Sequence, residues 1–255
     1  MLRIRTEQIT VFEQAAQRQF EDEMVEHSKD FAEPLCKVIG DGQLRVALRS
    51  AIPRAEGYGF TNRGPIRLFI EMTFLCGSGF DTDPQYPAVG EVLRAPGDQM
   101  VRAQQIHEGY LDYLEKVSGP GAVNVHKALK ELLILAKEPH SYSSNDLVDT
   151  MIQEMNRIFP QKTAYVGETN LRALISEGLA EAGMYGFSDT RSQALMVILK
   201  YAFGHGCTDD PLYPWISRTL KDERIVDSTA RAARLEKKAI TWLEHVVAGN
   251  ERRST

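Results

Sequence analysis

The chain is poor in cysteine and has no long apolar run. Its three cysteines, Cys36, Cys76 and Cys207, are scattered and form no Cys-x-x-Cys pair, which argues against a disulfide framework and a zinc site. No apolar stretch approaches the roughly 18 residues that a membrane-spanning helix needs. The N-terminus passes directly into a charged amphipathic pattern without the apolar segment of a secretory signal. We therefore expect a cytoplasmic protein.

The chain also lacks a strong excess of charge of one sign. Thirty Lys and Arg residues against 35 Asp and Glu give a net charge of −5, and the basic residues are dispersed. Nucleic acids and anionic membranes are recognised by clustered basic side chains. The sequence therefore predicts no nucleic-acid partner and no membrane partner. Its 255 residues, 43% of them hydrophobic, are enough for a well-buried core.

Alternating β-branched and aromatic residues are absent, whereas apolar residues recur at steps of three or four. This spacing is typical of amphipathic helices. It predicts a long helix from about 7 to 30, a break at Pro34 and at the Gly-Asp-Gly segment 40–42, and a second helix that follows with Leu44 on its apolar face and ends at Gly57. It also predicts a third helix from Thr61 to Gly77, a short fourth after Asp83 and a fifth from about 99 to 117. The fold class predicted is all-α.

The sequence contains an internal repeat. Residues 44–94 align without a gap onto residues 171–221 at an offset of 127, with 14 identities in 51 positions against about 3 expected by chance. The identities include Tyr-Gly-Phe at 58–60 and 185–187, and Asp-Pro-x-Tyr-Pro at 83–87 and 210–214. We expect two tandem, internally duplicated units of about five helices each, packed as one body.

A Ser-Gly-Pro-Gly segment at 118–121 places the boundary between the two units. The first helical repeat is predicted at 1–119 and the second at 122–255, with an extra helix near 125–137 that the first lacks. In the second unit, Ser144, Asn170 and Ser188 are predicted helix caps, and a final helix is predicted near 224–247.

Paired aspartates precede a proline in both copies. Asp83 and Asp210 are predicted to cap the next helix, with the following proline at its first position. Asp81-Thr82-Asp83 also resembles the start of a calcium loop, but the glycine and glutamate that such a loop requires are missing. No metal site and no cofactor are predicted.

Two exchanges between the copies concern the core. Cys76 aligns with Phe203 and Phe80 with Cys207, so each copy carries one Cys and one Phe in opposite order. This exchange conserves volume, as two packed cores require. The tyrosine of each Pro-x-Tyr-Pro segment is interpreted as a core plug, with a docking knob as the alternative.

His205 is the one histidine with possible catalytic neighbours, Cys207 and Asp209. Its counterpart in the first copy is Ser78, and sequence proximity does not establish a nucleophile and a base. No catalytic residue is predicted, and a hydrolase remains a weak alternative.

The repeated block resembles a known helical family. The motif runs from Tyr58-Gly59-Phe60 through Phe74 to the segment at 79–87, and the opening Ile-Arg-Thr-Glu-Gln at 4–8 is also similar to the start of that family. The family is encoded beside bacterial type VI secretion genes, next to PAAR spike-tip proteins, effectors and adaptor chaperones. Its block commonly ends Phe-Asp-x-Asp-Pro-x-x-Pro-Trp-Ala.

Each copy keeps a different part of that ending. The first has Phe80-Asp81 but Ala88 in place of tryptophan, and the second has Trp215 but Cys207-Thr208 in place of Phe-Asp.

The resemblance implies a non-enzymatic co-chaperone. Its partner would be an effector adaptor chaperone, with the effector or the PAAR protein as indirect partners, and it would regulate the loading of a type VI effector onto the PAAR spike tip. An immunity protein that neutralises a type VI effector is the alternative. Because Trp215 is the largest substitution between the copies, it is the candidate partner-binding residue.

Overall fold

The structure, a computed structural model, describes residues 6–138, 142 and 146–251. It is 79% helical, and the described residues contain no β-strand. The all-α prediction is therefore confirmed. Within these residues there are twelve α-helices, one π-helical turn and one short 3₁₀ turn.

The helices of the first half are α1 Thr6–Phe31, α2 Glu33–Gly57, α3 Arg63–Cys76, α4 Pro87–Arg94 and α5 Gln99–Tyr113, followed by the π-helical turn Leu114–Ser118 and the 3₁₀ turn Pro120–Ala122. The helices of the second half are α6 Val123–Lys137, α7 Leu147–Ile158, α8 Pro160–Val166, α9 Glu168–Met184, α10 Thr190–Phe203, α11 Pro214–Leu220 and α12 Ser228–Glu251.

The break predicted after the first helix is a kink rather than a gap. Pro34 lies in the first turn of α2, where its missing N–H costs no helical hydrogen bond. Gly40 then takes a positive φ of 74° inside the helix, a conformation that glycine adopts without strain. The helix therefore starts about ten residues earlier than the apolar pattern indicated.

Several predicted helix starts are wrong. The helices after the paired aspartates begin at Pro87 and Pro214, with a tyrosine at the N-cap position of each. The aspartates lie three residues before these N-cap positions and therefore cannot cap the helices. The second proline of each Pro-x-Tyr-Pro segment, not the first, occupies the favoured first position of the helix.

Other caps also differ from prediction. The carboxylate of Asp189, not Ser188, accepts the Ser192 N–H at 2.9 Å and caps α10. Asn170 lies inside α9, where its amide donates to the Val166 carbonyl at 2.9 Å. α3 begins after Asn62 rather than at Thr61. Ser144 lies outside the described residues.

The segment between the halves is only partly buried, since Pro120 and Gly121 are exposed. Val117 and Ser118 are buried, and the chain enters α6 within five residues of them. The extra helix predicted near 125–137 is confirmed as α6. The seven-residue α8 was not predicted, because it is too short to show an apolar period.

One hydrophobic core contains residues from both halves, among them Leu48 and Phe69 from the first and Phe187 and Ile216 from the second. A second cluster fills the space between α6, α7, α9 and α10 in the second half. No helix in the described part of the chain is both long and apolar enough to cross a membrane.

Candidate functional site

The loops that follow α3 and α10 meet backbone to backbone, and we call this contact the seam. Gly77 and Gly204 have φ values of 90° and 93°. A Cβ atom on Gly77 would lie 2.6 Å from the Phe203 carbonyl oxygen, and one on Gly204 would lie 2.7 Å from that of Cys76. Only glycine fits at either position.

Asp83 and Asp210 hold the seam together. Each closes a turn in its own loop: Asp83 accepts the Gln85 N–H at 2.8 Å, and Asp210 accepts the Leu212 N–H at 2.8 Å. The second carboxylate oxygen of each reaches the other half.

The two bonds across the seam are reciprocal. Asp83 accepts the His205 N–H at 2.7 Å, and Asp210 accepts the Ser78 N–H at 2.7 Å. The predicted helix-capping role is therefore replaced by cross-linking of the halves. Burial raises the pKa of the Asp210 carboxyl, while its two backbone N–H bonds oppose that rise.

His205 lies at the exposed edge of the seam. Its Nε2 atom is 3.1 Å from the Gly79 carbonyl and 3.0 Å from the Thr82 hydroxyl, and its Nδ1 atom is 3.1 Å from Glu177. Among the described residues no hydrogen bond joins this ring to Cys207. The pair that the sequence left open as nucleophile and base is not formed.

The carboxylate pair that resembled a calcium loop is engaged elsewhere. Asp81 forms an ion pair with Arg54 and accepts the Tyr58 hydroxyl at 2.9 Å. Within the described residues, no group of three His, Cys, Asp or Glu side chains is placed to hold a metal ion.

The predicted burial of the exchanged residues is confirmed, but all four lie in one hydrophobic core rather than in two separate ones. Cys76, Phe80, Phe203 and Cys207 are all buried. Burial raises the pKa of the Cys76 thiol to about 12 and raises that of Cys207 as well. Both thiols are therefore protonated and poorly reactive.

The two repeated tyrosines are core residues. Tyr86 and Tyr213 are 7% and 8% exposed, and Tyr213 packs against Phe203 with ring centroids 4.6 Å apart. This confirms the core plug over the docking knob.

A cavity of about 770 Å³ lies between the halves. Its walls come from α3 and α5 of the first half and from α6, α8 and α10 of the second, and they are chiefly aliphatic and aromatic. Leu75 and Tyr165, which are 41% and 38% exposed, lie at its border. The cavity therefore opens to the surface.

Lys162 on α8 lines this cavity and is 6% exposed. Its ammonium donates to the Tyr201 carbonyl at 2.6 Å and lies 4.6 Å from the Tyr201 ring centroid and 5.8 Å from that of Tyr86. No carboxylate of the described residues lies within ion-pair distance of it. Burial lowers the pKa of Lys162 to about 8, although the charge of Asp83 opposes this.

Gln85 adds a second buried polar side chain to the cavity wall. Its side-chain nitrogen donates to Asp83 and to the Lys200 carbonyl, while its Oε1 atom has no hydrogen-bond partner among the described residues. Sequence reasoning missed both Gln85 and Lys162, because a polar residue in a short segment predicts a surface position. Pro160 and Gly167, which flank α8, were the one available sign of a helix there.

Trp215, the predicted partner-binding residue, is half-buried on α11. Its ring packs edge-on against Phe203 with centroids 6.0 Å apart, and its indole nitrogen has no hydrogen-bond partner in the described structure. Its role in partner binding remains a prediction.

The first turns of α1 extend beyond the core. Phe12 is 68% exposed and residues 14–19 are all exposed, whereas Met24 and Val25 farther along the helix are buried. Phe12 and Ala16 lie one turn apart, on the same face as Phe20. We call residues 12–19 the α1 arm.

Comparison of the sequence with protein-family models and with curated proteins, and of the fold with solved structures, finds no match.

Proposed function

We propose that the protein is a non-enzymatic cytoplasmic co-chaperone of a bacterial type VI secretion system. It binds an effector adaptor chaperone and regulates the loading of the effector onto a PAAR spike tip. The proposal rests on the resemblance of the repeated block to the accessory family, and most closely to the co-chaperone co-TecT.

The structural observation that carries this proposal is the α1 arm. Phe12 is 68% exposed, and Ala15 and Ala16, three and four residues farther along the same face, are exposed as well, so the arm presents a contiguous apolar strip that a partner can cover. The arm is about 12 Å long at 1.5 Å per residue. An amphipathic helix of this kind binds in an apolar groove of its partner.

We also propose that residues 44–94 and 171–221 are copies of one ancestral unit. The ungapped repeat supports this, and so do the reciprocal bonds of Asp83 and Asp210. The repeats occupy 1–119 and 122–255. In this proposal the copies share a scaffold, and the partner contacts lie where they differ, at Trp215 and the α1 arm.

The test is co-expression of the full chain with the neighbouring adaptor chaperone, followed by size-exclusion chromatography. We expect one stable complex. Separate elution at micromolar concentration would contradict the proposal.

A variant pair locates the contact. Phe12→Asp should weaken adaptor binding at least tenfold, because a carboxylate replaces an apolar anchor. Gln14→Asp adds the same charge on the opposite side of α1 and should bind normally. Equal affinity of the two variants would remove the α1 arm from the interface.

A second variant tests Trp215. Trp215→Ala should weaken adaptor binding, with affinity compared only at temperatures where the variant is folded. A loss of thermal stability with unchanged affinity would show that Trp215 serves the core alone.

A neutralisation assay distinguishes a co-chaperone from the alternative function, an immunity protein. An immunity protein protects recipient cells from the effector, whereas a co-chaperone is needed only in the attacking cell. Protection of recipients without any effect on effector delivery would favour the immunity protein.

A further inference from the structure

The cavity between the halves combines apolar walls with one buried positive charge. The alkyl and aromatic side chains of Met72, Phe74, Leu129 and Leu132 line it, together with the ammonium of Lys162. Most buried ammonium groups have a carboxylate partner, because an unpaired buried charge is costly. Lys162 has only a carbonyl and two aromatic faces.

Lys200 shows how the same chain satisfies a buried lysine when no ligand is involved. Its ammonium is 2.5 Å from Glu181 Oε2 and donates to the His205 carbonyl at 2.5 Å. Lys200 and Lys162 are 4% and 6% exposed, so burial alone does not distinguish them. The difference is the anion, which is present beside Lys200 and missing beside Lys162.

We propose that this cavity binds a small amphiphile with one terminal carboxylate and an apolar body, of the class of medium-chain and long-chain fatty acids. The carboxylate pairs with Lys162, and the apolar body lies along the aliphatic and aromatic walls. This site is independent of the α1 arm and of the proposed adaptor contact.

The size and charge of the cavity select this class. Ligand sites in proteins usually measure roughly 300–1,000 Å³ and are mainly apolar with a few placed polar groups, and this cavity of about 770 Å³ fits that description. A neutral apolar molecule would leave the ammonium unpaired. A dianion would bring more negative charge than one lysine neutralises.

The cavity is accessible to such a ligand. Leu75 and Tyr165 at its border are partly exposed, so an alkyl chain can enter from the surface. A carboxylate on the ligand gains a charge-assisted hydrogen bond to Lys162 in a low-dielectric site. We therefore expect the carboxylate to contribute to affinity as well as to orientation.

The experiment compares dodecanoate with 1-dodecanol on the full chain by isothermal titration calorimetry, after removal of co-purified lipid. The two probes share an alkyl chain and differ in the charged end. The unmodified protein should bind dodecanoate at least tenfold more tightly than dodecanol. Failure to bind dodecanoate at submillimolar concentration, or equal affinity for the two probes, would overturn the proposal.

Three variants assign the site. Lys162→Met should lose the preference for dodecanoate and retain dodecanol binding. Leu129→Trp fills the cavity and should reduce binding of both probes. Lys127→Met removes an exposed lysine from α6, outside the cavity lining, and should bind like the unmodified chain. Undiminished dodecanoate binding by Lys162→Met would contradict the assignment, and the comparison of probes on the unmodified chain decides the question if that variant does not fold.

Discussion

In both halves of the molecule, a loop carbonyl at the seam accepts a hydrogen bond from a cation that pairs with a carboxylate, but the residues that do this differ. In the first half the Ser78 carbonyl accepts from Arg54, which also pairs with Asp81. In the second half the equivalent carbonyl, of His205, accepts from Lys200, which pairs with Glu181. The cation comes from α2 in one half and from α10 in the other.

The comparison shows which interaction the two halves share at the seam. At the repeat offset, Arg54 aligns with Glu181, so the position that carries the cation in one half carries the anion in the other. What the halves share is a cation on the loop carbonyl and a carboxylate on that cation. Buried backbone groups require a partner, but that partner can come from any neighbouring element.

Glycine substitutions at the seam should have the largest destabilising effect on the protein. Gly77→Ala and Gly204→Ala each place a Cβ within 2.7 Å of backbone oxygen at a positive φ, and we expect each to destabilise the protein by about 4 kcal/mol. Gly57→Ala, with no atom within 4 Å of its Cβ, is the control. Urea unfolding measures all three, and equal midpoints would refute the close approach of the loops.

Loss of a seam carboxylate should have the next largest effect. Asp83→Ala and Asp210→Ala each leave two backbone N–H groups without their acceptor, at a cost of about 3 kcal/mol. This exceeds the roughly 1 kcal/mol expected of a lost helix cap. Similar losses for the two variants would support the reciprocal seam, whereas a loss in only one would show that the halves differ in their dependence on it.

Removal of the two cations, Lys200 and Arg54, should destabilise the protein to different extents. Lys200→Met leaves Glu181, whose side chain is 19% exposed, without its cation, although the Thr208 hydroxyl still donates to it, and we expect a loss of about 3 kcal/mol. Arg54→Met leaves Asp81, whose side chain is only 5% exposed, without its cation, and because this carboxylate is more deeply buried than Glu181 we expect a somewhat larger loss. Thermal unfolding of both variants checks this order, and the reverse order would contradict it.

Replacement of Lys162 should have the opposite effect and stabilise the protein. Its folded-state pKa of about 8 lies below the ordinary 10.5, so the unfolded chain binds the proton more tightly and stability rises with pH between these values. Lys162→Met should therefore be more stable than the unmodified chain by about 3 kcal/mol at pH 7. The gap should close as the pH approaches 10.

Denaturant unfolding at pH 7, 8.5 and 10 measures this gap. Lys127→Met serves as the control and should show no such trend. A gap that stays constant with pH would mean that the charge of Lys162 is not the cause.

The smallest expected effect is on the rate at which a thiol reagent labels the buried cysteines. Cys76 and Cys207 occupy exchanged positions in the two halves and are both buried, so a thiol reagent should label each slowly in the folded protein. Peptide mapping by mass spectrometry after brief labelling would detect this. Rapid labelling of either residue before unfolding would show that solvent reaches the core around that cysteine.

The sequence predicted the features that depend on local pattern. The long helix α1 shows an apolar period, and the exchange of Cys76 and Phe80 with Phe203 and Cys207 predicted their burial. Asp83 was misassigned because an Asp-Pro pair resembles a helix start, while its actual partner, the His205 N–H, lies 122 residues away. Nothing local marks such a contact.

The cavity was beyond sequence reasoning for the same reason. Lys162 belongs to a helix of one or two turns, and its burial results from α10 and the Tyr86 loop packing around it. A lysine read from its neighbours alone indicates a solvated side chain.

The reciprocal bonds of the seam also set a delay during translation. The Ser78 N–H is made 132 residues before Asp210, which accepts its hydrogen bond. At ribosomal rates of 5–20 residues per second, that interval lasts roughly 7 to 26 seconds. Throughout it the nascent first half carries an incomplete loop and an uncovered face of its core. A ribosome stalled between the two loops would hold a chain that chaperones and proteases recognise as unfinished.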